Sequence, residues 1–317
     1  MVMKMQEKRI VFLGTPSFAA CVLEGLIHAN YSIIAVITQP DKLIGRKKIL
    51  TPTPVKEVAL KYNIPVYQPI SLKKDYSFLK EMEFEMLITA AYGQILPHEV
   101  LELAKINNIN VHGSLLPRYR GGAPIQRAII NGEKKTGVTI MEMVDKMDAG
   151  KMYAKEEVDI DLEMNTTELF EKLQYVGRDL LLKVLPQLMN NELKGESQNE
   201  QEVTYAWNIK REEEKIDFSL STLQVHNLIR GLSLTPGAYC LYKGKELKIY
   251  KAKIVQLVED NALIGTLKLE NKNRLLVRCK DGYLEILQVQ LEGKQKMDVP
   301  SFLNGCNKEE LLKEGLR

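Results

Sequence analysis

From Arg9 to His112 the chain alternates short aliphatic and β-branched runs with amphipathic segments, and few folds accept that rhythm. Arg9–Gly14, Tyr31–Thr38, Ile64–Gln68, Met86–Tyr92 and Ile109–His112 read as short buried strands. Phe18–His28 and Val55–Tyr62, lying between them, read as helices. Strand–helix–strand repetition predicts βαβ units, hence an α/β, Rossmann-like domain with a mainly parallel sheet. Thr136–Met143 and Met152–Val158 are expected as a following strand pair, and Thr166–Met189 as a long helix capped by Asn165 or Thr166.

The pattern then changes. The stretch 190–206 is polar, carries Gly195 and lacks hydrophobic periodicity, so it reads as a linker. From about Leu241 the segments become short and alternating, as in Leu247–Ile254, Arg274–Cys279 and Tyr283–Val289, which predicts a small antiparallel barrel. A chain of 317 residues also exceeds what one core usually serves. The expected division is therefore residues 1–189, a linker at 190–206, and a second domain at 207–317.

Composition excludes several classes. Apolar content of 45% and charged content of 27% are ordinary for a globular protein. No run approaches the roughly 20 apolar residues of a membrane helix, and the start resembles no signal peptide. Cys21, Cys240, Cys279 and Cys306 are scattered without metal or disulfide spacing, so a reducing, cytoplasmic location is expected. His28, His98, His112 and His226 are likewise not spaced as metal ligands, and no metal is expected. The net charge of +3 is small, but residues 204–317 hold 19 Lys and Arg against 15 Asp and Glu. That excess leans weakly toward a polyanionic partner.

Asn110 and His112 are two apart on a strand, so their side chains project to one face while Val111 points to the other. Strand carboxyl ends in parallel α/β sheets are where ligands bind. A neutral donor and an imidazole aimed there together suit an acyl centre whose oxygen gathers charge during reaction. Read singly, the histidine is a satisfied structural group, the asparagine a cap and Asp148 a turn residue. The loop that follows, rich in Gly and Pro, tips the balance toward function. Gly14-Thr-Pro16 ends the first strand with one glycine only, which fails the dinucleotide-binding fingerprint.

The run Asn110-Val-His-Gly-Ser-Leu-Leu-Pro-Arg-Tyr-Arg-Gly-Gly-Ala-Pro-Ile-Gln126, with Asp148-Ala-Gly150, resembles the signature of the folate-dependent formyltransferases. Phe12-Leu-Gly-Thr-Pro-Ser-Phe-Ala19, Ala91-Tyr-Gly-Gln-Ile-Leu-Pro97 and Ile216-Asp-Phe-Ser219 extend the resemblance to nearly the whole chain. It implies Asn110, His112 and Asp148 as catalytic residues, and Ser114, Leu115, Leu116, Pro117 and Tyr92 against the folate. The donor would be 10-formyltetrahydrofolate. The carboxyl-terminal matches imply methionyl-initiator tRNA as acceptor, an OB-fold-like second domain binding it, and neither a membrane nor an obligate protein partner.

Between Gln39 and Lys56 lies what reads as a long irregular insertion, basic at Lys42, Arg46, Lys47 and Lys48, ended by Pro52 and Pro54. A charge run is usually a solvated loop. The resemblance makes this one a tRNA-contacting loop, although the family often has Gly-Arg-Gly-Lys-Lys where this chain has Gly45-Arg-Lys-Lys-Ile49. Two other readings stay open: a formyltransferase acting on an amino sugar or other small amine, and a folate- or RNA-binding regulator without turnover.

Overall fold

In the computed structural model, which describes residues 8–45, 47–255 and 261–316, the chain divides into two units. The first gathers residues 1–124, 136–159 and 170–207; the second gathers 125–135, 160–169 and 208–317. The stretch 190–206, expected as linker, thus lies inside the first unit, and two internal segments belong to the second.

The first unit is built on a seven-stranded sheet of β1 (Arg9–Gly14), β2 (Ser32–Ile37), β5 (Val66–Tyr67), β6 (Met86–Ala90), β7 (Asn107–His112), β8 (Lys135–Glu142) and β9 (Met152–Asp159). Their order is β5-β2-β1-β6-β7-β8-β9. Pairing is parallel from β5 through β7, and β8 is antiparallel to β7. The fold is Rossmann-like, and the strand order switches at β1, with β2 added on one side and β6 on the other, which opens a crevice at the strand carboxyl ends.

Helix α1 (Ser17–His28) and the long α6 (Thr166–Met189) supply apolar cover. Phe18 of α1 meets Phe170 of α6 edge-on at 5.7 Å. Val111 packs toward Gly177 of α6, where an added Cβ would lie 2.9 Å from its methyl group. The opposite face carries Val11, Leu13 and Leu87, packed with Leu72, Leu79 and Phe84. Asn110 pairs in register with Thr89, itself opposite Leu13, so its side chain shares that second face. Strand alternation has separated Val111 from Asn110 and His112.

The segment 39–56 is not irregular. It forms a hairpin of β3 (Lys42–Ile44) and β4 (Ile49–Thr51), pairing Lys42 with Thr51, Leu43 with Leu50 and Ile44 with Ile49. Leu43, Ile44, Ile49 and Leu50 are strand formers, and Gly45 and Lys48 both take positive φ in the turn between them. Helix α2 (Pro54–Lys61) follows, its Thr53 cap accepting from the Lys56 amide. Helices α3 (Ser77–Lys80) and α4 (His98–Leu101) are single turns, and α5 (Pro124–Ile130) leads into the second unit.

The second unit is antiparallel, as expected. Strands β10 (Ala238–Tyr242), β11 (Lys245–Val255), β12 (Leu267–Glu270), β13 (Arg274–Arg278) and β14 (Tyr283–Leu291) run in the order β10-β11-β14-β13-β12, and β15 (Met297–Asp298) pairs with β14. Helices α7 (Thr222–Gly231), α8 (Val299–Asn304) and α9 (Lys308–Glu314) complete it. Val225, Ile229, Leu247, Ile249, Leu284, Ile286, Phe302 and Leu311 share one core. Segment 160–169 is tied to α7: Arg230 donates to the carbonyls of Asp161 and Met164 at 3.1 and 2.7 Å. Thr166 donates to Gly231 at 2.6 Å. The cap of α6 is Asn165, whose side chain accepts from the amides of Thr167 and Glu168.

Candidate active site

The carboxyl ends of β1, β6 and β7 lie side by side, with Gly14 opposite Ala90 and Ala90 opposite Val111. Gly14 lets α1 turn back closely on the end of β1, since a Cβ there would sit 2.4 Å from that of Ala19. Just beyond, Thr15 Oγ1 and Gln39 Nε2 both donate to the Tyr92 carbonyl, at 3.0 and 3.2 Å. Tyr92 is buried, which pushes its phenol up to about 12, and among the described residues its hydroxyl has no partner. It also packs in the core, as a structural tyrosine would.

Asn110 is half-buried, and its carbonyl oxygen is the shortest contact of the Thr89 hydroxyl, which also lies near Met143 Sδ and the Ile109 carbonyl. Thr89 Oγ1 donates to Asn110 Oδ1 at 2.8 Å. That leaves the amide hydrogens of Nδ2 without a protein acceptor among the described residues. They are a preset pair of donors.

His112 is buried, and its Nε2 lies 3.0 Å from the Tyr119 carbonyl. A carbonyl can only accept, so Nε2 carries a proton. The other ring nitrogen, Nδ1, faces Asp148 Oδ2 at 3.7 Å. The same carboxylate oxygen accepts from the Gly121 amide at 2.8 Å. Proton exchange at this histidine therefore runs through Nδ1, on the side of the carboxylate.

The segment 114–117 is a braced turn. Ser114 Oγ donates to the Arg118 carbonyl at 2.7 Å, and Thr139 bridges the Ser114 carbonyl and the Leu116 amide at 2.7 and 3.1 Å. Leu116 packs on Met141 and Met152, and Leu115 is half-buried. The Leu116–Pro117 peptide is cis. The side chains of Ser114 and Leu116 are thus engaged within the protein. Asn110 and His112 lie at the carboxyl end of β7, with Asp148 facing His112 and this turn following directly on the strand.

Lys42, Lys47 and Lys48 are exposed on the hairpin and have no carboxylate partner among the described residues; Arg46 lies outside those residues. Lys56 is different, held by Asp41 at 2.6 Å. Sequence reasoning passed over Thr15, Gln39, Thr89, Arg120 and Gln198. Thr89 carries a usable signal, an isolated hydroxyl in the apolar strand Met86–Ala90. Among the described residues no group of three His, Cys, Asp or Glu could hold a metal ion, and no helix is long and apolar enough to cross a membrane.

Residues 8–185 match the formyl transferase family, and residues 208–307 match the formyl transferase C-terminal domain. A methionyl-tRNA formyltransferase from Lactobacillus johnsonii is 47% identical, over 93% of this chain and 95% of its own. Another, from Lactococcus lactis subsp. cremoris, is 48% identical over 96% and 97%. Among solved structures, the N-formyltransferase from Helicobacter canadensis in complex with folinic acid and dTDP-3-aminofucose superposes with a TM-score of 0.67 at 19% identity, covering 92% of this chain and 99% of that one. At that identity the likeness is one of fold.

Proposed function

This chain belongs to the formyl transferase family, and from that premise we propose that it moves the formyl group of 10-formyltetrahydrofolate to the free amino group of methionyl-initiator tRNA. The observation that carries the reading is the trio Asn110, His112 and Asp148 at the carboxyl end of β7, in a chain nearly half identical to methionyl-tRNA formyltransferases along almost its whole length.

The amine of an aminoacyl ester titrates below a free α-amino group, itself near 7.7–8.0, so much of it is neutral at physiological pH. It attacks the formyl carbon. As the C–N bond forms, the carbonyl π pair moves onto oxygen, where the hydrogens of Asn110 Nδ2 meet it. The tetrahedral centre collapses by breaking the bond to the folate nitrogen. The amine gives up a proton and the departing nitrogen gains one. His112 Nδ1 and Asp148, 3.7 Å apart, are suited to hold that proton between the two steps. The turn at Ser114, Leu115, Leu116 and Pro117 is read as the edge against which the pterin lies, its backbone polar groups fixing the ring, with Tyr92 nearby.

The second unit and the hairpin with Lys42, Arg46, Lys47 and Lys48 are read as the tRNA-binding parts. An OB-like use of the antiparallel sheet fits that role. The reaction carries with it a cytoplasmic location.

The test is to incubate the protein with 10-formyltetrahydrofolate and methionyl-initiator tRNA and to look for N-formylmethionine after hydrolysis of the ester. Alanine at Asn110, His112 or Asp148 should each lower kcat by roughly 10²–10³ with the thermal midpoint nearly unchanged. A fully active Asn110→Ala/His112→Ala double variant removes the mechanism. Formylation of a nucleotide-linked amino sugar but not of tRNA reassigns the acceptor.

A further inference from the structure

Arg120 is fully buried. Its Nε donates to Gln198 Oε1 at 3.0 Å and one terminal nitrogen to Glu200 Oε1 at 2.8 Å, while the other, Nη1, has no partner among the described residues. A buried, incompletely bonded cation is a poor way to gain stability; an apolar side chain of similar volume generally does as well or better. Its neighbours give a reason to keep it. Gln198 Nε2 has two hydrogens, and they go to the carbonyls of Asp148 and Gly150, each at 2.8 Å. Asp148 sits at φ +48, a left-handed conformation that is disfavoured for a non-glycine residue and is held here by outside support.

The rest of the bracing comes from the residues flanking Arg120. The Tyr119 carbonyl holds His112 Nε2, and the Gly121 amide holds the Asp148 carboxylate. Arg120 itself pairs with the Thr204–Ala206 backbone, donating to Thr204 at 2.9 Å and accepting from Ala206 at 2.7 Å. The stretch that carries Gln198 is thus bonded to the loop that holds both titratable groups.

We propose that Gln198 is a positioning residue, clamping the Asp148 backbone so that its carboxylate faces His112 Nδ1, with Arg120 holding the amide in place. This rests on the role given to Asp148 in the reaction above. A clamp of this kind acts through geometry, and a misplacement of about 1 Å can cost on the order of 10² in rate.

The experiment is a double-variant cycle on the full chain, with 10-formyltetrahydrofolate and methionyl-initiator tRNA as substrates. Gln198→Ala should lower kcat by about 10–10² while leaving KM for both substrates nearly unchanged, and should move the ionisation limb of the kcat–pH profile. In an Asp148→Asn background the same change should cost nothing further, because the group it positions is already disabled. Gln198→Glu keeps a partner for Arg120 but cannot donate to the two carbonyls, so it should be as impaired as Gln198→Ala. Wild-type kcat in Gln198→Ala, an additive loss with Asp148→Asn, or a fully active Gln198→Glu would each overturn the proposal. If Asp148→Asn itself turns over at the wild-type rate, the reading of the reaction fails before the clamp is reached.

Discussion

Backbone carbonyls decide how the side chains of this site present themselves. The Tyr119 carbonyl takes one nitrogen of His112 and so turns the other toward Asp148. At Glu200 the partners are side chains instead. Its side chain is 60% exposed, yet hydrogen bonds from Arg120 and then Lys146 hold its carboxyl at about 2 instead of 4.5. The ionised form is therefore favoured more in the folded chain than in the unfolded one. That contribution is complete above about 4.5 and lost as the pH falls toward about 2. Thermal midpoints measured across that interval should fall less steeply for Glu200→Gln than for the wild type, and added salt should narrow the difference. Parallel curves would show that the pair carries no weight. Asn110 and His112 could be read from sequence because strand alternation puts i and i+2 on one face. The partners could not: Thr89 lies 21 residues from Asn110 and Gln198 lies 50 from Asp148, and only sheet register and loop packing bring them near.

Among the elements, the helix Thr166–Met189 matches its expected bounds because apolar periodicity over many turns is a strong signal. The strand expected at Ile64–Gln68 is only Val66–Tyr67, since its partner β2 offers pairing at Val36 and Ile37 alone. At β3 and β4 the charges of the turn drew attention from the alternation on either side of it. The hairpin carries Leu43 and Leu50, each 62% exposed, together with basic residues at its base and turn. Under the tRNA reading, acceptor binding should weaken as salt rises, with a log–log slope growing by about −0.7 to −0.9 per phosphate neutralised. Lys47→Ala/Lys48→Ala should flatten that slope and raise the KM for tRNA, leaving folate binding nearly unchanged. An unaltered slope would reduce the hairpin to a solvated surface.

For the molecule as a whole, the division of the chain is the part least visible in its sequence. Composition marks the change after α6 well enough, but nothing in segments 125–135 or 160–169 announces that they pack with residues beyond 208. Their ties are few and scattered: Arg230 of α7 donates to the carbonyls of Asp161 and Met164, Arg127 pairs with Glu213 at 2.6 Å, and Ile130 packs on the second core. A chain ending at Trp207 should therefore unfold at a lower temperature than the first transition of the full protein, because those segments lose their partners. Equal midpoints in calorimetry would mean that the first unit stands without them. The same discontinuity sets a timetable. A ribosome releases residues 125–135 long before the core they join exists, and that core includes Leu311 and Leu316. Until the codons for Leu311 and Leu316 are read, each growing chain holds earlier apolar segments that lack their partners, so this protein's exposure to chaperones and proteases is written into the order of its own synthesis.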